Sequence, residues 1–109
     1  MAPLKIYVAG PFTKGPPVDN VRTALLAGRR LREKGYYPYV PHLSFFTEML
    51  DLGPSDWGYW MDWHAPWLDA CDAVFRVPGE SPGADIEVER AQKAGKQIFK
   101  SLMEVPKTE

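Results

Sequence analysis

An α/β fold, a parallel sheet covered by helices on both faces, is predicted by two observations. Short apolar runs with strand character alternate along the chain with amphipathic segments of helical period. The runs and segments are separated by Gly- and Pro-rich turns, so each strand is followed by a loop and then a helix. Right-handed crossovers follow, and the ligand site of such a sheet lies at the carboxyl ends of its strands, where the strand order reverses.

The first strand is KIYVAG, ended by Gly10 and Pro11. The loop PFTKGPPVDN follows, and Asp19 or Asn20 is placed to cap a helix whose Val21, Ala24, Leu25, Gly28 and Leu31 recur at helical spacing, with Gly35 as its stop. YYPYVPH, rich in aromatics, reads as a second strand near an edge or ending early. LSFFTEMLDLGPSDWGYW has no firm period and reads as a lid-like excursion. Trp60, Trp63, Trp67, Leu68 and Cys71 mark another helical face, which Pro66 must kink or restart. DAVFRVPG is a third strand, SPGADIEVERAQKAG a helix, KQIFKSL a fourth strand, and MEVPKTE a polar tail expected to fray.

The chain has 109 residues, read as a single domain over 1–109, with 45% hydrophobic and 25% charged residues and a formal net charge of −1. That balance offers no electrostatic footprint for duplex nucleic acid or an anionic membrane and favours a small-molecule partner. Cys71 is the one cysteine, so no intrachain disulfide forms; together with the absence of a signal-like or membrane-spanning apolar run, this predicts a cytoplasmic protein. The two histidines and scattered acids lack metal-ligand spacing, so no metal and no cofactor are expected.

The residue that asks most for an explanation is Glu87. In a helix starting at Pro82 with Ser81 as N-cap, Ala84, Val88, Ala91 and Ala94 form one apolar stripe, and Glu87 lies inside it while Asp85 and Glu89 point away. An ionised carboxylate on a core-facing surface costs several kcal/mol unless it is paired or lines a cavity. The alternatives are an Arg partner, an escape past small alanines to water, or a nucleophile in a cleft whose anionic form the helix N-terminus favours. Ser81 is either a cap alone or part of an anion site at that N-terminus. The residues after the first strand (Gly10, Pro11, Phe12, Thr13 through Asn20), after the second (Pro41, His42) and after the third (Pro78 to Glu87, with Ser81 and Gly83) are expected to converge. Thr13, Lys14 and Gly15 offer donors, but neither a Walker pattern nor a dinucleotide fingerprint is present. His64 projects between Trp60, Trp67 and Leu68, either as a hydrogen-bonded structural residue or as an acid or base. The tryptophans and Tyr59 read mostly as core or lid, with one or two suited to stacking on a nucleobase.

Taken together, KIYVAGPF, the PYVPH strand end, WLDACDAVFRVPG and SPGADIEVERA resemble the nucleoside 2-deoxyribosyltransferase superfamily, including its small phage and bacterial members, from Lys5 to about Phe99. The most specific part is Gly83-x-x-x-Glu87-x-x-x-Ala91, which matches the family's nucleophile helix. The resemblance implies a flavodoxin-like (Rossmann-like) three-layer sandwich with a parallel sheet of four to five strands. It further implies N-glycosidic cleavage through a glycosyl-enzyme intermediate, with Glu87 as nucleophile and Tyr7, at the end of the first strand, as the tyrosine close to it. The transferases of free nucleosides usually carry Asp six residues before the nucleophile, and the nucleoside 5′-monophosphate N-glycosidases carry Ser; Ser81 favours the monophosphate. Where the family has D-x-x-W-L, this chain has His64-Ala65-Pro66-Trp67-Leu68, and a histidine there can donate a proton to the leaving base. Homodimers or higher oligomers are implied as well. The rival readings are base exchange on free nucleosides, a non-catalytic nucleotide-binding module, and an interaction domain without ligand.

Overall fold

The computed structural model describes residues 4–12, 14–50 and 56–108, the side chain of Glu48 excepted. Strands β1 (Lys5–Ala9), β2 (Tyr37–Tyr39), β3 (Ala73–Arg76) and β4 (Gln97–Phe99) form one parallel sheet in the order β2-β1-β3-β4. The order reverses between β1 and β3, as in a flavodoxin-like sheet, and the crevice above their carboxyl ends is the expected ligand position.

Alternation along the strands divides the core into two. Ile6, Val8, Phe75 and Phe99 face helix α1 (Pro17–Glu33), where they meet Ala24, Ala27 and Leu31. Tyr7, Ala9 and Val74 face α3 (Trp57–Ala70) and α4 (Pro82–Lys93), where they meet Leu68, Cys71, Ala84 and Ala91. The result is three layers, as the sequence resemblance implies.

Several boundaries differ from the sequence reading. Helix α1 starts at Pro17, before Asp19 and Asn20, with Pro16 at the cap position and no side-chain cap; a proline pair fixes the entry dihedrals instead. It stops as expected, with Gly35 at φ +100°. The excursion after β2 is helical where described: a 3-10 turn (Pro41–Ser44) runs into the short α2 (Phe45–Met49), and Trp57–Trp60 already belong to α3. Pro66 neither restarts nor ends α3, which continues to Ala70 from an Asp56 cap that accepts from the Tyr59 N–H at 2.7 Å. Of the apolar stripe read for that helix, Leu68 and Cys71 are buried but Trp63 and Trp67 are 52% and 50% exposed.

The tail is held rather than frayed. Val105 is buried in the α1-side core, Lys34 Nζ donates to its carbonyl at 2.9 Å, and the Thr108 N–H donates to the Lys34 carbonyl at 2.8 Å. The Tyr36 hydroxyl donates to the Pro106 carbonyl. Among the described residues no helix is long and apolar enough to cross a membrane.

Candidate active site

Helix α4 begins where the sequence places it. Ser81 is the N-cap, and its Oγ accepts from the Ala84 N–H at 3.1 Å. Ala84 and Ala91 are buried against the sheet, and Glu87 lies between them on the same face. Beneath it Tyr7, fully buried, rises from the middle of β1 rather than from its end, and its hydroxyl donates to Glu87 Oε2. Burial and the adjacent carboxylate hold the Tyr7 hydroxyl protonated far above the ordinary phenol range. The small alanines of α4 leave the space that this phenol and carboxylate occupy.

The expectation that the helix N-terminus keeps Glu87 anionic is outweighed. Burial pushes its pKa up to about 7, against the smaller lowering effects of the Tyr7 hydrogen bond and the Arg76 charge. Arg76 does not pair with Glu87: its guanidinium bonds the Gly79 carbonyl at 2.8 Å and Asp85 Oδ1 at 3.0 Å, fixing the loop between β3 and α4.

A cavity of about 260 Å³ opens over this pair, and the three expected loops line it. Gly10, Phe12 and Lys14 come from the loop after β1, Pro41, His42 and Ser44 from the turn after β2, and Ser81, Pro82, Gly83, Ala84 and Glu87 from α4. Trp57, Trp60, Met61 and His64 of α3 complete it. Two glycines permit close approach: a Cβ on Gly10 would lie 2.7 Å from Val77 Cβ, and one on Gly83 would lie 3.2 Å from the Trp57 indole nitrogen.

His42 is 4% exposed, and its Nε2 donates to the Pro11 carbonyl at 2.9 Å, which leaves Nδ1 as a buried acceptor without a partner among the described residues. Burial lowers its pKa. His64, 7% exposed, stacks on Trp60 at 5.8 Å between ring centroids and places Nδ1 3.1 Å from the Tyr39 hydroxyl. Burial, aided by the nearby His42, lowers its pKa to about 4, so it is neutral at pH 7. Lys14 lies 3.8 Å from the exposed Glu80 and is the cation among the lining side chains.

The residues singled out from sequence thus separate into groups. Gly10, Phe12, His42, His64, Ser81, Gly83 and Glu87 share the cavity, and Tyr7 supports Glu87 from below. Pro11 and Asn20 are not in its lining: the Pro11 carbonyl is taken by His42, and the Asn20 amide donates to the carbonyls of Phe12 at 2.9 Å and Lys14 at 2.8 Å, so Asn20 shapes the loop. Thr13 lies outside the described residues. Asp62 is exposed and Asp69 pairs with Arg90 at 2.6 Å, so neither joins the site. The sequence reading did not single out Ser44, Met61 or Arg76, and it held Trp57 only as one of the tryptophans; the Gly83 gap in α4 is the signal that a bulky ring packs there. Among the described residues no three His, Cys, Asp or Glu side chains gather as a metal ion would need.

The family model of the Domain of unknown function DUF4406 matches residues 4–100. The chain belongs to this family. Among solved structures, the fold is similar to that of the 2-deoxyribosyltransferase from the psychrotolerant bacterium Bacillus psychrosaccharolyticus, with a TM-score of 0.59 and 20% identity over 86% of this chain and 69% of that one. The likeness agrees with the superfamily resemblance at the level of the fold. No curated protein matches the chain.

Proposed function

We propose that this protein cleaves the N-glycosidic bond of a (deoxy)nucleoside 5′-monophosphate through a covalent intermediate on Glu87. The observation that carries the reading is a partly buried carboxylate, held by the Tyr7 hydroxyl, in the same cavity as the capped N-terminus of α4 and Lys14. Six residues at 1.5 Å rise put Glu87 about 9 Å along the helix axis from Ser81, leaving room for a sugar between them. The phosphate sits at the helix N-terminus, where the Ser81 Oγ already accepts from Ala84 and keeps its own O–H to donate, and Lys14 supplies the counter-charge. The base lies among Trp57, Trp60 and His64.

In the first step a Glu87 oxygen bonds to C1′ and the C1′–N bond breaks, its electron pair leaving with the base. In the second, water attacks C1′, the Glu87–C1′ bond breaks with its electron pair restoring the carboxylate, and the water's proton is released to solvent. The anion is the nucleophile, so with a pKa of about 7 base release rises with pH through neutrality and falls on the acid side. A pH profile flat between 5 and 8 contradicts this role.

The second reading, base exchange on free nucleosides, draws on the fold shared with a 2-deoxyribosyltransferase. It differs in the acceptor: a second base replaces water. Assembly as a homodimer or larger oligomer belongs to the same proposal and is supported by the exposed Trp63, Trp67 and Ile86; light scattering tests it. A reducing, cytoplasmic setting suits the buried free thiol of Cys71.

The deciding experiment incubates the protein and Glu87→Ala with ribo- and deoxynucleoside 5′-monophosphates and the matching nucleosides, with and without an acceptor base. Free base from a monophosphate, absent with the variant, is expected. Products only with an acceptor base establish the transferase instead, and tight binding without turnover leaves a nucleotide-binding module.

A further inference from the structure

Tyr39 closes β2, and its ring is clamped between Tyr7, at 5.6 Å and 26°, and Trp67, at 5.7 Å and 15°. A clamped phenol keeps one freedom, the torsion that aims its proton. The hydroxyl meets His64 Nδ1 at 3.1 Å. Burial favours the protonated phenol, and Nδ1 is the acceptor within reach of its proton. The opposite assignment leaves the phenol proton with no acceptor among the described residues. His64 Nε2 has no partner among the described residues, and the ring lines the cavity with Glu87, its plane set by Trp60.

We infer that Tyr39 is a positioning residue whose hydroxyl fixes His64 in the tautomer that carries its proton on Nε2 and presents it to the departing base. The part toward the base rests on the N-glycosidase reading; the tautomer does not. As the C1′–N bond breaks and the Glu87–C1′ bond forms, the electron pair goes to the base. The Nε2–H hydrogen-bonds the atom that gains charge without giving up its proton, and water protonates the released base.

Tyr39→Phe retains both ring stacks and removes the hydroxyl. The first readout is a two-bond proton–nitrogen NMR correlation of the imidazoles. The expected result is protonated Nε2 in the wild type, with an Nδ1 shift displaced by an accepted hydrogen bond, and relaxation of Nδ1 to a free acceptor in Tyr39→Phe. An Nδ1–H tautomer in the wild type overturns the inference, as does an Nδ1 shift that the variant leaves unchanged. The wild-type tautomer is read without any variant, so it still decides the inference if Tyr39→Phe does not fold. These measurements need no turnover, so they hold even if the N-glycosidase reading fails. With a substrate in hand, Tyr39→Phe lowers kcat about tenfold at nearly constant KM, and it costs nothing further in a His64→Ala background. Additive losses overturn the claim that Tyr39 acts through His64.

Discussion

The two faces of the sheet are made by alternate residues of the same strands, yet they are filled differently. On the α1 side Ile6, Val8, Phe75 and Phe99 close against Leu31, Ala27 and Val105 in an apolar layer. On the other side Tyr7 replaces an aliphatic side chain, α4 offers Ala84 and Ala91, and the volume those alanines leave holds a phenol bonded to a carboxylate. The first arrangement contributes stability by burial alone. The second surrenders some of it to keep Glu87 and His64 away from water, each shifted toward its neutral form. Position in the sheet is thus a division of labour, with stability and chemistry separated by one residue of register.

Substitutions sharpen that contrast, and the largest effect belongs to the apolar face. Leu31→Ala is expected to cost about 2–5 kcal/mol in denaturant unfolding while leaving the activity per folded molecule unchanged. A change in the substrate dependence of this variant breaks the separation.

On the other face, Glu87→Gln is expected to stabilise the protein above neutrality. The folded pKa is raised from the ordinary 4.5 to about 7, so the native state holds a proton that the unfolded chain has released. The penalty is absent below pH 4.5, grows through the window up to 7, and reaches on the order of 3 kcal/mol above it. His64 has the opposite sign: its lowered pKa makes stability fall with acidification from 6.5 toward 4. Unfolding of Glu87→Gln at pH 8 and pH 5 checks the first effect, with a large gain expected at pH 8 and little at pH 5. Equal gains at both pH values refute a charge-burial cost.

The smallest effect is at the rim. Ser81→Ala removes the bond to the Ala84 N–H and is expected to cost about 1 kcal/mol. It also weakens binding of a nucleoside 5′-monophosphate more than of the parent nucleoside, which paired calorimetric titrations measure. Equal weakening assigns Ser81 to the cap alone.

Much of this was legible in the sequence because period and punctuation are local. The stripe around Glu87, the Ser81-Pro82 start of α4 and the alternation of strands and helices follow from residues within a few turns of each other. The helical content after β2 was not legible, because the 3-10 turn and α2 are each too short for a repeating period to show. Asn20 was misplaced because a short amide suits a cap as well as a loop tie, and only the position of the Phe12 and Lys14 carbonyls decides. The competition over the charge of Glu87 was also closed to sequence: the helix end is visible in the chain, but the depth of burial is set by elements on both sides of it.

The anchored tail bears on how the chain is made. Val105 completes the α1-side core, and Thr108 and Pro106 are bonded to Lys34 and Tyr36 more than 65 positions earlier. During synthesis at about 5–20 residues per second, the α1 side therefore stays unsealed until the tail leaves the ribosome, even though α1 and β2 emerged seconds before. The nascent chain passes through a stage with a greasy, half-shut flank, and the stabilising face is sealed only after α4 and β4 have been made.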